Sequence, residues 1–166
     1  MPSHYVTSFE EVLCGITLVA ITTAIHGCGM VATLYTSHLL KRGQDVPVSF
    51  VRGGAMLIVA SWMIVLVHLA EVLVWAVFFL WLGAMPDPST SYYFALMQYT
   101  TVGSSFSLPL RWRLLDGMLP IAALMTFAWS TGVLFMLAQE FQSTQLSALH
   151  ARRDARRAAR HRGSGA

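Results

Sequence analysis

Three apolar stretches divide the chain, each longer than the roughly 20 residues needed to cross the core of a bilayer. Nothing is formally charged between Glu11 and Lys41, so residues 12–40 hold one full span. Between Gly53 and Met85 the only charge is Glu71, and a third span runs from Gly117 to Gln139, bounded by Asp116 and Glu140. The pattern changes between the second and third spans. There "PDPST" supplies prolines that stop the second helix, with Ser and Thr able to cap a new one. It is followed by "SYYFALMQYTT", apolar and aromatic but too short to cross. A short helix, then a Thr-Val-Gly-Ser turn, then a full span is the pattern of a re-entrant loop, whose irregular backbone must be buried by protein or reached by water.

Composition agrees with this reading. The 166 residues are 55% hydrophobic and 11% charged, which describes an integral membrane protein. The first span reads as a retained helix, since no Lys or Arg precedes it and the run is too long for a signal peptide. Lys41, Arg42 and Arg52 follow the first span, and Arg152, Arg153, Arg156, Arg157, Arg160 and Arg162 follow the third. Both groups belong in the cytoplasm, which puts the amino terminus outside and the segment from Pro86 to Asp116 on the outer side of the inner (plasma) membrane. Arg111 and Arg113 lie there against the rule.

Thr100, Thr101, Val102 and Gly103 resemble the selectivity-filter signature of the potassium-channel pore-loop superfamily, Thr-Val-Gly-Tyr-Gly with a further Thr ahead of it. The order of outer helix, pore helix, filter and inner helix is similar over residues 55–140, and "WRLLDGMLPIAALMTFAWSTGVLFML" looks like the inner helix of small bacterial members. The resemblance implies an ion path lined by Thr100, Thr101, Val102, Gly103 and Ser104, where carbonyl and hydroxyl oxygens replace water around potassium or another monovalent cation. It also implies a homotetramer, because one filter strand makes one wall, and a candidate gating hinge at Gly132. The chain departs from the pattern at Ser104, Ser105 and Phe106, where the family has Tyr-Gly-Asp. If Ser105 takes the positive φ of the family's second glycine, the strain is on the order of 1 kcal/mol.

Other residues carry weaker signals. Glu71 is the acid inside a span, and His68, three residues earlier on the same helix face, can pair with it in the protein interior, as structural support or a pH sensor. In "HGCGM", His26 and Met30 share a face that Cys28 does not, so the glycines read better as packing positions than the stretch does as a metal site. Gly132 has the same packing alternative. Tyr92, Tyr93 and Tyr99 fit an aromatic belt if residues 86–116 form a plain outer loop. Cys14 and Cys28 lie about four turns apart in one span and cannot pair. No metal-protease, phosphate-loop or spaced-cysteine motif is present, so no enzyme, cofactor or bound metal is expected. The tail "ARRDARRAARHRG" reads as topogenic charge attracted to anionic lipid heads, not as a nucleic-acid surface.

The expected fold is therefore an all-α integral membrane protein with three transmembrane helices plus a re-entrant pore helix and filter loop, in a tetrameric pore. Residues 1–52 hold the outer terminus, first helix and cytoplasmic loop, residues 53–141 the pore module, and residues 142–166 the basic tail. The function expected is a cation channel subunit. The alternatives are a non-conducting pore-like subunit with a structural role, and a small metal transporter that would need His26 or Met30.

Overall fold

The computed structural model describes residues 8–41 and 50–163 and is helical, with no strand among them. Helix α1 spans Phe9–Lys41, α2 Phe50–Trp81, α3 Pro88–Tyr99 and α4 Arg113–Gly163. A single 3-10 turn, Leu110–Trp112, leads into α4. By length and apolarity α1, α2 and α4 are each able to cross a membrane, and α3 at 12 residues is not. The basic tail continues α4 without a break through residue 163.

Long-range contacts set the helix directions. The Glu11 carboxylate accepts from the Leu114 N–H, satisfying one of the orphan donors of the first turn of α4. Arg111 reaches Glu10 at 2.8 Å, an exposed pair worth little. Gly15 then lies against Met118, and Gly27 against Trp129, so α1 and α4 run parallel in steady register. Helix α2 runs the other way between them: Gly29 faces Val67, and Gly53 faces Phe141. A Cβ on Gly29 would come within 2.3 Å of a Val67 methyl, so glycine there sets how closely α1 and α2 approach.

Helix α2 stops at Trp81, before the prolines. Gly83, at φ 64, ends it in a Schellman motif: its N–H donates to the Leu80 carbonyl and the Ala84 N–H to that of Phe79. The cap of α3 is Asp87, not the expected Ser or Thr. Its carboxylate accepts from the Thr90 N–H and hydroxyl at 2.9 and 2.7 Å, with Pro88 at the first helical position. Those donations hold the Asp87 carboxyl below its ordinary range. Helix α3 packs back against α2: the Ser91 hydroxyl donates to the Ala76 carbonyl at 2.6 Å, Phe94 meets Phe79 edge-on, and at the end of α3 the Tyr99 hydroxyl reaches Glu71. The main core lies in this wedge, around Trp75, Phe79, Phe94, Leu115 and Leu119. A second core of Met30, Ala60, Ile64, Val133 and Leu137 joins α1, α2 and α4 at the opposite end.

Glycine positions separate packing from freedom. Gly29→Ala is expected to destabilise by about 1–3 kcal/mol through overpacking against the branched Val67. Gly132→Ala, where an added Cβ meets nothing within 4 Å, is expected to stabilise by about 0.5–1 kcal/mol through helix propensity. Thermal unfolding of the two variants in detergent should shift in opposite directions.

Candidate functional site

Two features meet at the C-terminal end of α3. The first is the backbone of residues 100–103. The Thr101 N–H donates to the Gln98 carbonyl at 3.0 Å, and the Val102 and Gly103 N–H groups both donate to that of Met97 at 3.1 and 3.2 Å. This is the same Schellman arrangement that ends α2, but the left-handed position is filled by Thr101, at φ 61, where α2 has Gly83. A β-branched residue in that region is an outlier, costing roughly 1–2 kcal/mol. The expected strain thus sits at Thr101 and not at Ser105, which has no positive φ. Gly103, at φ 82, supplies the second positive φ without a Cβ clash.

Hydrogen bonding of the N–H groups fixes where the carbonyls aim. Each peptide is planar and trans, so the carbonyl of residue i points opposite to the N–H of residue i+1. With the N–H groups of Thr101, Val102 and Gly103 turned back onto α3, the carbonyls of Thr100, Thr101 and Val102 are turned away from it. Val102 is 70% exposed, so the segment is little covered by its own chain. The Thr100 hydroxyl is occupied, donating to the Leu96 carbonyl at 2.9 Å. Ser104 Oγ accepts from the Phe106 N–H at 3.1 Å, bending the chain back outward.

The second feature is a closed ring of polar side chains, buried except for the partly exposed His68. Glu71 Oε1 lies 2.8 Å from His26 Nδ1. His26 Nε2 lies 3.2 Å from Ser130 Oγ, which lies 3.0 Å from His68 Nε2. His68 Nδ1 lies 2.7 Å from the Tyr99 hydroxyl, which donates to Glu71 Oε2 and closes the ring. Thr126 Oγ1 adds a contact to Tyr99 at 3.0 Å. All four helices contribute. The ring is shielded by Trp129 beside His26 and Phe127 beside His68, with centroids 5.4 and 4.6 Å apart.

The structure redistributes the residues singled out in the sequence. His68 and Glu71 do share a face, but at 3.8 Å, and the hydrogen bonds of Glu71 go to His26 and Tyr99. Tyr99 is buried in the ring and is not a belt residue, whereas Tyr93 is exposed beside Phe106. His26 and Met30 are both buried and Cys28 is exposed, so "HGCGM" brings no thiol to the imidazole. An added Cβ at Gly132 would meet nothing within 4 Å inside the chain, and α4 is continuous through it. His26, Tyr99, Thr126 and Ser130 enter the site without having been linked to Glu71. A charge in an apolar span signals that some partner must exist, but nothing local says which helix supplies it. The donor atoms of His26, His68 and Glu71 lie within 4.8 Å of one another, close enough to share an ion.

The matched helix ends give a paired test. Gly83→Thr is expected to cost about 1–2 kcal/mol, and Thr101→Gly to be neutral or stabilising by up to ~1 kcal/mol once the chain entropy of glycine is counted. Equal destabilisation of both variants in thermal unfolding would show that Thr101 carries no backbone strain. No family model matches this chain, and neither a curated protein nor a solved structure does.

Proposed function

We propose that the chain is one subunit of a homotetrameric pore for monovalent cations, potassium among them, with the carbonyls of Thr101 and Val102 lining its narrow part. The observation that carries this reading is the direction of those carbonyls, away from α3, in a segment little covered by its own chain. Three further features support it. The Tyr99 hydroxyl meets Glu71 ten residues before Trp81, a depth of roughly 15 Å and so about half of a 30 Å bilayer core. On that depth α3 is a re-entrant pore helix. Its C-terminal end, the negative pole of the helix dipole, faces the same segment and favours a cation there. One chain leaves the carbonyls open on one side, and copies around an axis would close the ring.

The passage is passive. Oxygen atoms substitute for the hydration shell, and neighbouring ions repel one another onward. The arginines of the tail and of the loop before α2 put those ends in the cytoplasm and the start of α1 outside, in the plasma membrane of the cell. The tail then lies against anionic lipid heads, with no role for nucleic acid. A second reading, a pore-like subunit that does not conduct, is favoured by one observation: the turn at Thr101 is also a complete helix cap, which needs no ion to be satisfied.

Purified protein in liposomes under potassium and sodium gradients distinguishes the two. Cation flux that falls at least tenfold in Gly103→Asp is expected for the pore, and selectivity for potassium over sodium measures how much the inner oxygens achieve without the family's second glycine. Absence of flux from folded, tetrameric protein would establish the non-conducting subunit.

A further inference from the structure

We propose that His26, His68, Glu71 and Tyr99 form a binding site for a divalent transition-metal ion of the zinc class, oriented by Ser130. The site does not require the chain to conduct ions, so its test and that of the pore stand apart.

Counting hydrogens gives the first argument. The ring has five contacts, each needing one hydrogen between its two heavy atoms. With Glu71 ionised and both imidazoles neutral, four are available: one each from Tyr99, Ser130, His26 and His68. One contact is then left with lone pair facing lone pair. The Ser130 Oγ sits between the two Nε2 atoms at 3.2 and 3.0 Å, where it can donate to one and accept from the other, or accept from both. With both protons on Nε2, the Nδ1 lone pairs of His26 and His68 face the Glu71 carboxylate and the Tyr99 oxygen. Four donor groups then converge with fewer hydrogens than they need. One additional proton or a metal cation fills that gap, and for a metal the Ser130 oxygen would accept the far N–H of each ligating imidazole, the outer-shell place that a carboxylate, carbonyl or water takes in other sites.

Distance gives the second argument. Tetrahedral zinc, with bonds of about 2.0–2.1 Å, sets neighbouring donor atoms roughly 3.3–3.4 Å apart. The Glu71 oxygens lie 2.8 Å from His26 Nδ1 and 3.8 Å from His68 Nδ1, values that bracket this spacing. The donor set then selects the ion. Two imidazoles, one carboxylate and one phenol oxygen suit a borderline ion such as Zn²⁺. Calcium and magnesium require six or more oxygens. Charge also closes: Zn²⁺ with the Glu71 carboxylate and a Tyr99 phenolate is neutral, as an apolar layer demands.

Full-length protein purified without a histidine tag, stripped with chelator and dialysed against Zn²⁺, is expected to retain about one zinc per chain by elemental analysis. His26→Ala and Glu71→Ala should reduce this to background, and the Cys14→Ser and Cys28→Ser variants should not change it. Ser130→Ala keeps the ligands and is expected to weaken affinity about 10–100-fold while leaving the stoichiometry at saturation intact. Since Glu71→Ala removes a buried partner and risks misfolding, the unaltered chain is also loaded with Co²⁺, which should give the intense visible bands of a tetrahedral nitrogen and oxygen site. Zinc retention unaffected by His26→Ala, no zinc on folded wild-type protein, or the weak spectrum of six-coordinate cobalt would each overturn the proposal.

Discussion

The fold is organised around one constraint: the Glu71 carboxylate is fully buried inside the most apolar helix of the chain. An ionisable group placed there cannot be left alone, because the uncompensated charge of a broken buried pair costs about 3–5 kcal/mol. Its compensation comes from outside its own helix, from His26 on α1 and Tyr99 on α3, and the ring then passes through Ser130 on α4. Directional contacts therefore fix how four helices sit together, in a layer where apolar packing alone discriminates poorly between helix arrangements. The first helix is not an accessory in this arrangement. Without α1, Glu71 loses the partner held at 2.8 Å, and the close approach that delivers it depends on Gly29 against Val67.

The same ring reaches the candidate pore through a single residue. Tyr99 is the last residue of α3, so its hydroxyl anchors the turn that immediately follows. Gln98 adds a second anchor, donating to Asp116 at 2.9 Å. A threonine in the left-handed position persists only where its surroundings over-determine it. Here the surroundings are the backbone bonds from Thr101, Val102 and Gly103 onto α3, and α3 is itself capped by Asp87 and held to α2 through Ser91. The contrast with Gly83, which ends α2 by the same bonds at no steric cost, leaves the side chain as what Thr101 adds to the turn, since glycine would present the same carbonyl.

Legibility in the sequence followed the range of the interactions. Long uncharged runs specify spans, because backbone satisfaction and apolarity are properties of contiguous residues, and α1, α2 and α4 fall where those runs are. The short helix after "PDPST" was equally readable, although its cap was Asp87, one residue before the Pro that favours a first helical position. The ring was not readable. His68 was visible as a partner because i and i+3 share a helix face, yet Glu71 bonds instead to His26, 45 residues away, and to Tyr99, 28 residues away. Pairings of that kind are decided by helix register, which small residues and knobs of the size of Trp129 set jointly, and one apolar run carries no record of its neighbour's register. The helix end at Thr101 escaped notice for a related reason, since only the backbone reveals a Schellman turn that lacks its glycine.

Where motion is available follows from what is pinned. Helix α3 is tied at its start by Asp87 and Ser91 and at its end by Gln98 and Tyr99. The first half of α4 is tied by Glu11 at its second residue and by Thr126 and Ser130 in the ring. Beyond Ser130 the directional ties give way to the apolar contacts of Val133 and Leu137 and to Phe141 seated on Gly53. Gly132 stands at that boundary with open space around its Cα. Apolar contacts slide at lower cost than a closed hydrogen-bond ring opens, because an opened ring strands buried polar groups and a shifted methyl contact does not. A hinge at Gly132 would then swing the C-terminal half of α4 while leaving the ring, α3 and the turn at Thr101 in place. In a chain built this way the turn at Thr101 is the fixed part, and the part of α4 beyond Ser130 is the part free to move.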